Sequence, residues 1–267
     1  MTPTTPLRVP ILMYHEIAPR SATESRLAVS PDSFAGQLAL LHDEGYQTVT
    51  AYELTRALTH GAGTLPERPV VLTFDDGFAD FHSQAMPLLD QYGFTATVYV
   101  TTGWVEDAGP PPSGRRPGRM LSWSQIEEAA HAGIEIGAHS HLHPQLDQLP
   151  VTALRDELSV SKVQLEDRLG APVPGMAYPF GYSNAQVRQA ARELRYGYAC
   201  AVRNVMMTGE SDPLALPRLT VRDSTRLAVF RDLVRGSNLR RIFLKDRVLT
   251  KGFAVARRSR AALPRSA

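Results

Sequence analysis

Two clusters in this chain combine residue types that could hold a cation and move a proton. One is Asp75-Asp76-Gly77, adjacent carboxylates followed by a glycine. The other is His139-Ser140-His141-Leu142-His143-Pro144, which gathers three of the chain's eight histidines. Neutral imidazole is a common ligand for divalent transition metals, and histidines a few residues apart can converge on one ion. One carboxylate plus two histidines leaves room for a water and a carbonyl, with the water's pKa drawn toward about 7. A carboxylate outside the ligand set can then take the water's proton. Asp75 and Asp76 can divide these roles if the chain turns between them, and Gly77 supplies that freedom. Alone, Asp-Asp-Gly is a common surface turn and a single histidine a satisfied structural residue. Together the clusters point to a metal-activated water attacking a carbonyl. Breaking an amide this way also needs a proton donor for the amine and dipoles facing the oxyanion.

Elements of the right kind flank these clusters. Pro69 to Phe74 is a continuous apolar run ending at Asp75, as expected of a strand buried on both faces. Ile134 to Ala138 is a strand ending at His139, and Met176 to Tyr178 a short strand leading into Pro179-Phe180-Gly181. Further strands are expected at Val9–Met13, Tyr46–Val49, Phe94–Val100, Tyr198–Val202 and Leu216–Val221. Helical patterns alternate with them: from Pro31, around Tyr52–Leu58, Ala79–Tyr92, Val151–Leu169, Asn184–Arg195 and Thr225–Val234. Another starts at Ser122, where Gln125 three residues on forms a capping box. About seven strands alternating with helices give an α/β fold, a distorted or incomplete (β/α) barrel of parallel strands. Chemistry in such barrels gathers at the C-terminal strand ends, where the polar clusters fall. Residues 106 to 119, rich in Pro, Gly and Arg, form the one long loop.

At 267 residues, with 43% hydrophobic and 21% charged residues, the chain has ordinary globular composition. Cys200 is the single cysteine, so no intramolecular disulfide forms; its apolar neighbours make it a small core residue. No apolar stretch reaches the length of a membrane span, and no basic segment followed by an apolar run opens the chain, which sets a cytoplasmic expectation. Residues 236–267 carry nine Lys and Arg against the single Asp246, a net +8 in a chain of net +2, leaving residues 1–235 near −6. Ile242, Leu249, Phe253 and Ala256 share one helical face of this tail. We read it as a solvated helix packed against the barrel; peripheral contact with an anionic membrane is the alternative. No motif supports nucleic-acid binding.

Thr73-Phe74-Asp75-Asp76-Gly77 and His139-Ser140-His141-Leu142-His143-Pro144 resemble the first two motifs of the polysaccharide deacetylase family, the NodB-homology enzymes of carbohydrate esterase family 4. Strand order and spacing agree over residues 8 to 222. The resemblance implies that Asp75 is the general base and that Asp76, His139 and His143 bind one divalent ion, Zn2+ first, with Co2+, Ni2+ or Fe2+ as alternatives. It implies that Ser140 steadies the histidine loop, leaving His141 outside the ligand set. The family's third motif, Arg-x-Pro-Tyr-Gly, corresponds to Ala177-Tyr178-Pro179-Phe180-Gly181. Oxyanion and substrate contacts are expected from the Phe180 N–H, Tyr178 and Pro179. The motif's arginine, which orients the base, is here Ala177. The family's C-terminal histidine donor is also absent, since no histidine follows His143. His15, after Leu12-Met13-Tyr14, resembles the N-terminal histidine of the poly-N-acetylglucosamine deacetylases, and neighbouring first and last strands make that exchange geometrically reasonable. A structural histidine bonding a loop carbonyl is the plainer reading of His15.

The resemblance implies removal of the N-acetyl group of an N-acetylhexosamine in a glycan or glycoside, releasing acetate. Alternatives are the same hydrolysis on a non-sugar amide or ester, an inactive glycan-binding relic, or a non-haem iron oxygenase. The last leaves Asp75 without a role and usually comes on a β fold. Trp104 and Trp123 flank the long loop and suit either sugar stacking or core packing. His42, His60, His82 and His131 fall within helices or at their ends.

Overall fold

The structure, a computed structural model, describes residues 7–23, 25–60, 64–109 and 116–246. Seven parallel strands close into a barrel: β1 (Ile11–Tyr14), β2 (Pro69–Phe74), β3 (Thr97–Val100), β4 (Glu135–Ala138), β5 (Gly175–Ala177), β6 (Tyr198–Val202) and β7 (Leu216–Thr220). Closure is made at β1, where Leu12 pairs with Leu219 of β7 and with Leu72 of β2. The expected architecture stands, with its ring complete at seven strands. The strand expected at Tyr46–Val49 shrinks to Gln47–Thr48, an outer partner of the first residues of β2. Its other residues, Tyr46 and Val49, are buried in the core. A second outer pair, Arg8–Val9 with Met207–Thr208, is antiparallel.

Around the barrel run α1 (Pro31–Asp43), α2 (Ala51–His60), α3 (Met86–Gln91), α4 (Trp123–His131), α5 (Val151–Leu169), α6 (Ala185–Glu193), α7 (Leu227–Arg235) and α8 (Leu239–Ile242). Their starts follow capping chemistry. Ser30, Ser122 and Asn184 each accept from a first-turn N–H, and Ser122 with Gln125 forms the full capping box. The helix expected from Ala79 begins instead as a π turn, Phe81–Ala85, and becomes α-helical only where Pro87 lacks a donor.

All six residues of β2 are buried, and they serve two cores. Val70, Leu72 and Phe74 face the helices in the larger apolar cluster. Val71 faces inward with Ile11, Tyr99, Ala177, Tyr198, Cys200 and Leu216. Leu239, Ile242 and Phe243 pack against the outer cluster, so the described start of the basic tail is seated on the barrel. Leu249, Phe253 and Ala256 lie outside the described residues.

Candidate active site

The C-terminal ends of β2 and β4 deliver the two clusters to one place. Asp76 takes φ 73° and Gly77 φ 84°, so the turn that separates the carboxylates starts at Asp76 itself, one residue earlier than the glycine suggested. Ser140 (φ 62°), His143 (φ 59°) and Phe180 (φ 60°) are also left-handed. Four of the seven non-glycine residues with positive φ among the described residues therefore surround this site, and such strain persists where surrounding contacts impose it.

Asp76, His139 and His143 present ligand atoms that all lie within 4.8 Å of one another. Asp76 Oδ1 stands 3.4 Å from His139 Nε2 and 3.3 Å from His143 Nε2, and it is buried without a hydrogen-bond partner. His139 Nδ1 lies 2.8 Å from the Ala177 carbonyl, which can only accept, so Nδ1 carries a proton and Nε2 is left to face the carboxylate. The local field favours positive charge. Burial would lower the His139 pKa, but Asp75 and Asp76 raise it above its ordinary value. Burial would likewise raise Asp76, yet the two imidazoles hold it far below the carboxylate range. An orphaned buried carboxylate oxygen facing two ring nitrogens is a donor set that a divalent cation fits.

The histidine loop is fixed by its own side chains. Ser140 Oγ accepts from the His143 N–H at 3.0 Å. Glu157 of α5 accepts from the N–H groups of His141 (2.9 Å) and Leu142 (2.8 Å). His141 turns away from the ligand set, its Nδ1 2.9 Å from Thr102 Oγ1. The His143 ring lies between Trp104, 4.8 Å away, and Phe180, 4.7 Å away, centroid to centroid. Trp104 thus borders the site, whereas Trp123 is buried in the core under Arg168.

Asp75 is buried and is gripped by Arg218 of β7, which the sequence reading did not identify. Nη1 donates to Oδ1 at 2.6 Å and Nη2 to Oδ2 at 2.7 Å, while Nη1 also reaches Thr73 Oγ1 at 3.1 Å. Burial alone would raise the Asp75 pKa; the guanidinium beside it, with His139, keeps it below the usual range. Arg218 thereby supplies the guanidinium partner of Asp75 that Ala177 cannot. Its signal was present as a lone charge inside the apolar run Leu216-Pro217-Arg218-Leu219, where a charge survives only if paired.

Phe180 lies in the short turn Pro179–Gly181 and is half exposed. A Cβ on Gly181 would sit 2.4 Å from Val202 Cγ2 and 2.8 Å from its backbone nitrogen, so only glycine lets this turn lie against β6. Tyr178 and Pro179, expected at the substrate, are both buried. The Tyr178 hydroxyl donates to the Leu214 carbonyl at 2.8 Å, so its ring supports the rim from below.

His15 directly follows β1. Its Nδ1 is buried with no hydrogen-bond partner among the described residues, which removes the loop-carbonyl reading of that atom. Burial lowers its pKa, while Asp75 and Asp76 act to raise it, so His15 is electrostatically coupled to both carboxylates. The buried Cys200 thiol, with its pKa pushed up to about 11 by burial, is a core residue.

Residues 62–199 match the family model described as polysaccharide deacetylase. YxkH of Bacillus subtilis, named for that family, is 29% identical over 218 residues, 81% of this chain and 72% of that protein. The poly-beta-1,6-N-acetyl-D-glucosamine N-deacetylase of Escherichia coli is 28% identical over 137 residues, which span 48% of this chain but 20% of that longer protein. The Streptococcus pyogenes deacetylase PplD, solved in complex with acetate, superposes with a TM-score of 0.77 at 29% identity, covering 86% of this chain and 99% of that one. With the seven-stranded barrel and both motif clusters meeting at its rim, the chain belongs to the polysaccharide deacetylase family.

Proposed function

We propose that this chain hydrolyses the N-acetyl amide of an N-acetylglucosamine-type residue in a glycan or glycoside and releases acetate. The observation that carries the proposal is the pairing of a three-residue cation site with a separate carboxylate. Asp76, His139 and His143 converge, while the adjacent Asp75 is turned aside and held ionised by Arg218. The names of the relatives support a glucosamine polymer, and PplD was solved with acetate, the acid this reaction releases.

A divalent ion, Zn2+ first, held by those three side chains would polarise the amide carbonyl and acidify a water. Asp75 takes the water's proton, a role that requires the ionised form Arg218 maintains. The rim turn at Phe180 offers a backbone N–H for the oxyanion, a role needing no particular side chain. His15, electrostatically coupled to both carboxylates, passes a proton to the departing amine.

The proposal is tested by acetate release from a panel of N-acetylated oligosaccharides, lipid-linked sugars, small glycosides and non-sugar amides, after chelation and with Zn2+, Co2+, Ni2+ or Fe2+ returned. Release from glucosamine oligomers that is lost on chelation and restored by one ion is the expected result. Release from the non-sugar amides alone would overturn the glycan assignment.

A further inference from the structure

The inside of the barrel holds a column of titratable side chains, of which the reaction above uses only Arg218. At its base, Glu135 accepts from the Tyr198 hydroxyl at 2.5 Å, from Thr97 Oγ1 at 2.8 Å and from the Tyr52 N–H at 3.0 Å. The Tyr99 hydroxyl donates to Tyr198 Oη at 3.3 Å and lies 3.2 Å from Cys200 Sγ. At the other end of the column, the Arg218 guanidinium lies over the Tyr99 ring, 5.5 Å from its centroid. Tyr99, Tyr198 and Arg218 are all fully buried.

Backbone choices around the column make room for these rings. A Cβ on Gly137 of β4 would lie 2.6 Å from the Tyr99 ring, and one on Gly175 of β5 would lie 1.9 Å from that of Tyr198. Arg218 also has a donor that no hydrogen bond satisfies. Its Nη atoms are committed to Asp75 and Thr73, but its buried Nε has no hydrogen-bond partner. A desolvated guanidinium with an unmet N–H gains from the negative face of an aromatic ring, and more so away from water.

We propose that Tyr99 is a positioning residue for the base: its ring, fixed at the hydroxyl end, holds the Arg218 fork square to Asp75. This rests on the deacetylase reading, and only the ring face is required. Tyr99→Phe keeps the face and loses the hydroxyl contacts, whereas Tyr99→Leu removes the face.

The test compares both variants with wild type for kcat and KM on an N-acetylglucosamine oligomer, for Zn2+ binding by calorimetry, and for the Arg218–Asp75 geometry by crystallography. Tyr99→Leu should lower kcat about tenfold, the scale of one buried cation–π contact. KM and Zn2+ affinity should hold, and Tyr99→Phe should recover most of the loss. Wild-type kcat in Tyr99→Leu overturns the proposal, and so does an equal loss in Tyr99→Phe. Should Tyr99→Leu fail to fold, Gly137→Ala displaces the ring instead, and an undisturbed kcat there is equally contrary. A wild type that releases no acetate removes the deacetylase reading alone. The crystal structures then decide: an Arg218 fork kept in Tyr99→Leu refutes the positioning role, and a turned fork upholds it.

Discussion

Arg218 and Asp75 meet fork to fork at 2.6 and 2.7 Å, although 143 residues separate them in the chain. The two parallel bonds fix the carboxylate plane as well as its charge, which a point charge cannot do. Arg218→Lys keeps one positive charge and loses the fork. It should lower kcat by about 10–10²-fold, with the metal retained. Metal content by mass spectrometry, measured beside kcat, checks this; full activity in the lysine variant would show that charge alone suffices.

The two aspartates should separate cleanly in their effects. Asp75→Asn removes the proposed base, so activity should fall by about 10²–10⁴-fold while Zn2+ still binds. Asp76→Asn and His139→Ala remove proposed ligands and should empty the site, with activity lost as a consequence. Zn2+ titration of all three variants distinguishes the roles. An empty Asp75→Asn protein would mean that the first aspartate also binds the ion.

How much of this was legible before the structure follows from what each feature depends on. The convergence of Asp75-Asp76 and His139–His143 could be read because each cluster closes a recognisable apolar strand, and strand ends of a parallel barrel meet on one rim. The Arg218 grip was only half legible: a lone charge in an apolar strand implies a buried partner, but nothing local says that the partner is Asp75, 143 residues away. Tyr178 was misplaced for a related reason. Its motif position suggested the substrate, but β-strand alternation at the end of β5 turns its ring outward to the helix layer. The strain at Asp76 was also hidden, since Gly77 looked sufficient to make the turn.

His15 gives a sharper test of the proton donor. It lies outside the three-residue ligand group, so His15→Ala should leave Zn2+ affinity intact and slow turnover about 10²-fold or more. The loss should shrink for an activated substrate whose leaving group needs no proton, such as an aryl acetate ester. An equal loss on both substrates would point to a structural role for His15.

Asp80 makes a stability prediction that activity does not complicate. Its Oδ1 accepts from the Ile17 N–H at 2.8 Å, tying the segment after His15 to the start of the π turn. Burial raises its pKa to about 6 against an ordinary 3.8, with Glu16 adding to the rise and the Ile17 N–H opposing it. The folded state therefore binds this proton more tightly than the unfolded chain does, and stability falls as pH rises through the interval from about 4 to 6. Above that interval the ionised carboxylate costs on the order of 3 kcal/mol, two pKa units at about 1.4 kcal/mol each. Asp80→Asn keeps an acceptor for Ile17 without the charge. It should unfold at higher denaturant than wild type at pH 7.5 and nearly with it at pH 3.5, where both proteins are neutral at this position. Urea midpoints at the two pH values measure the difference, and a gap of the same size at both would show that the Asp80 charge is not what the fold resists.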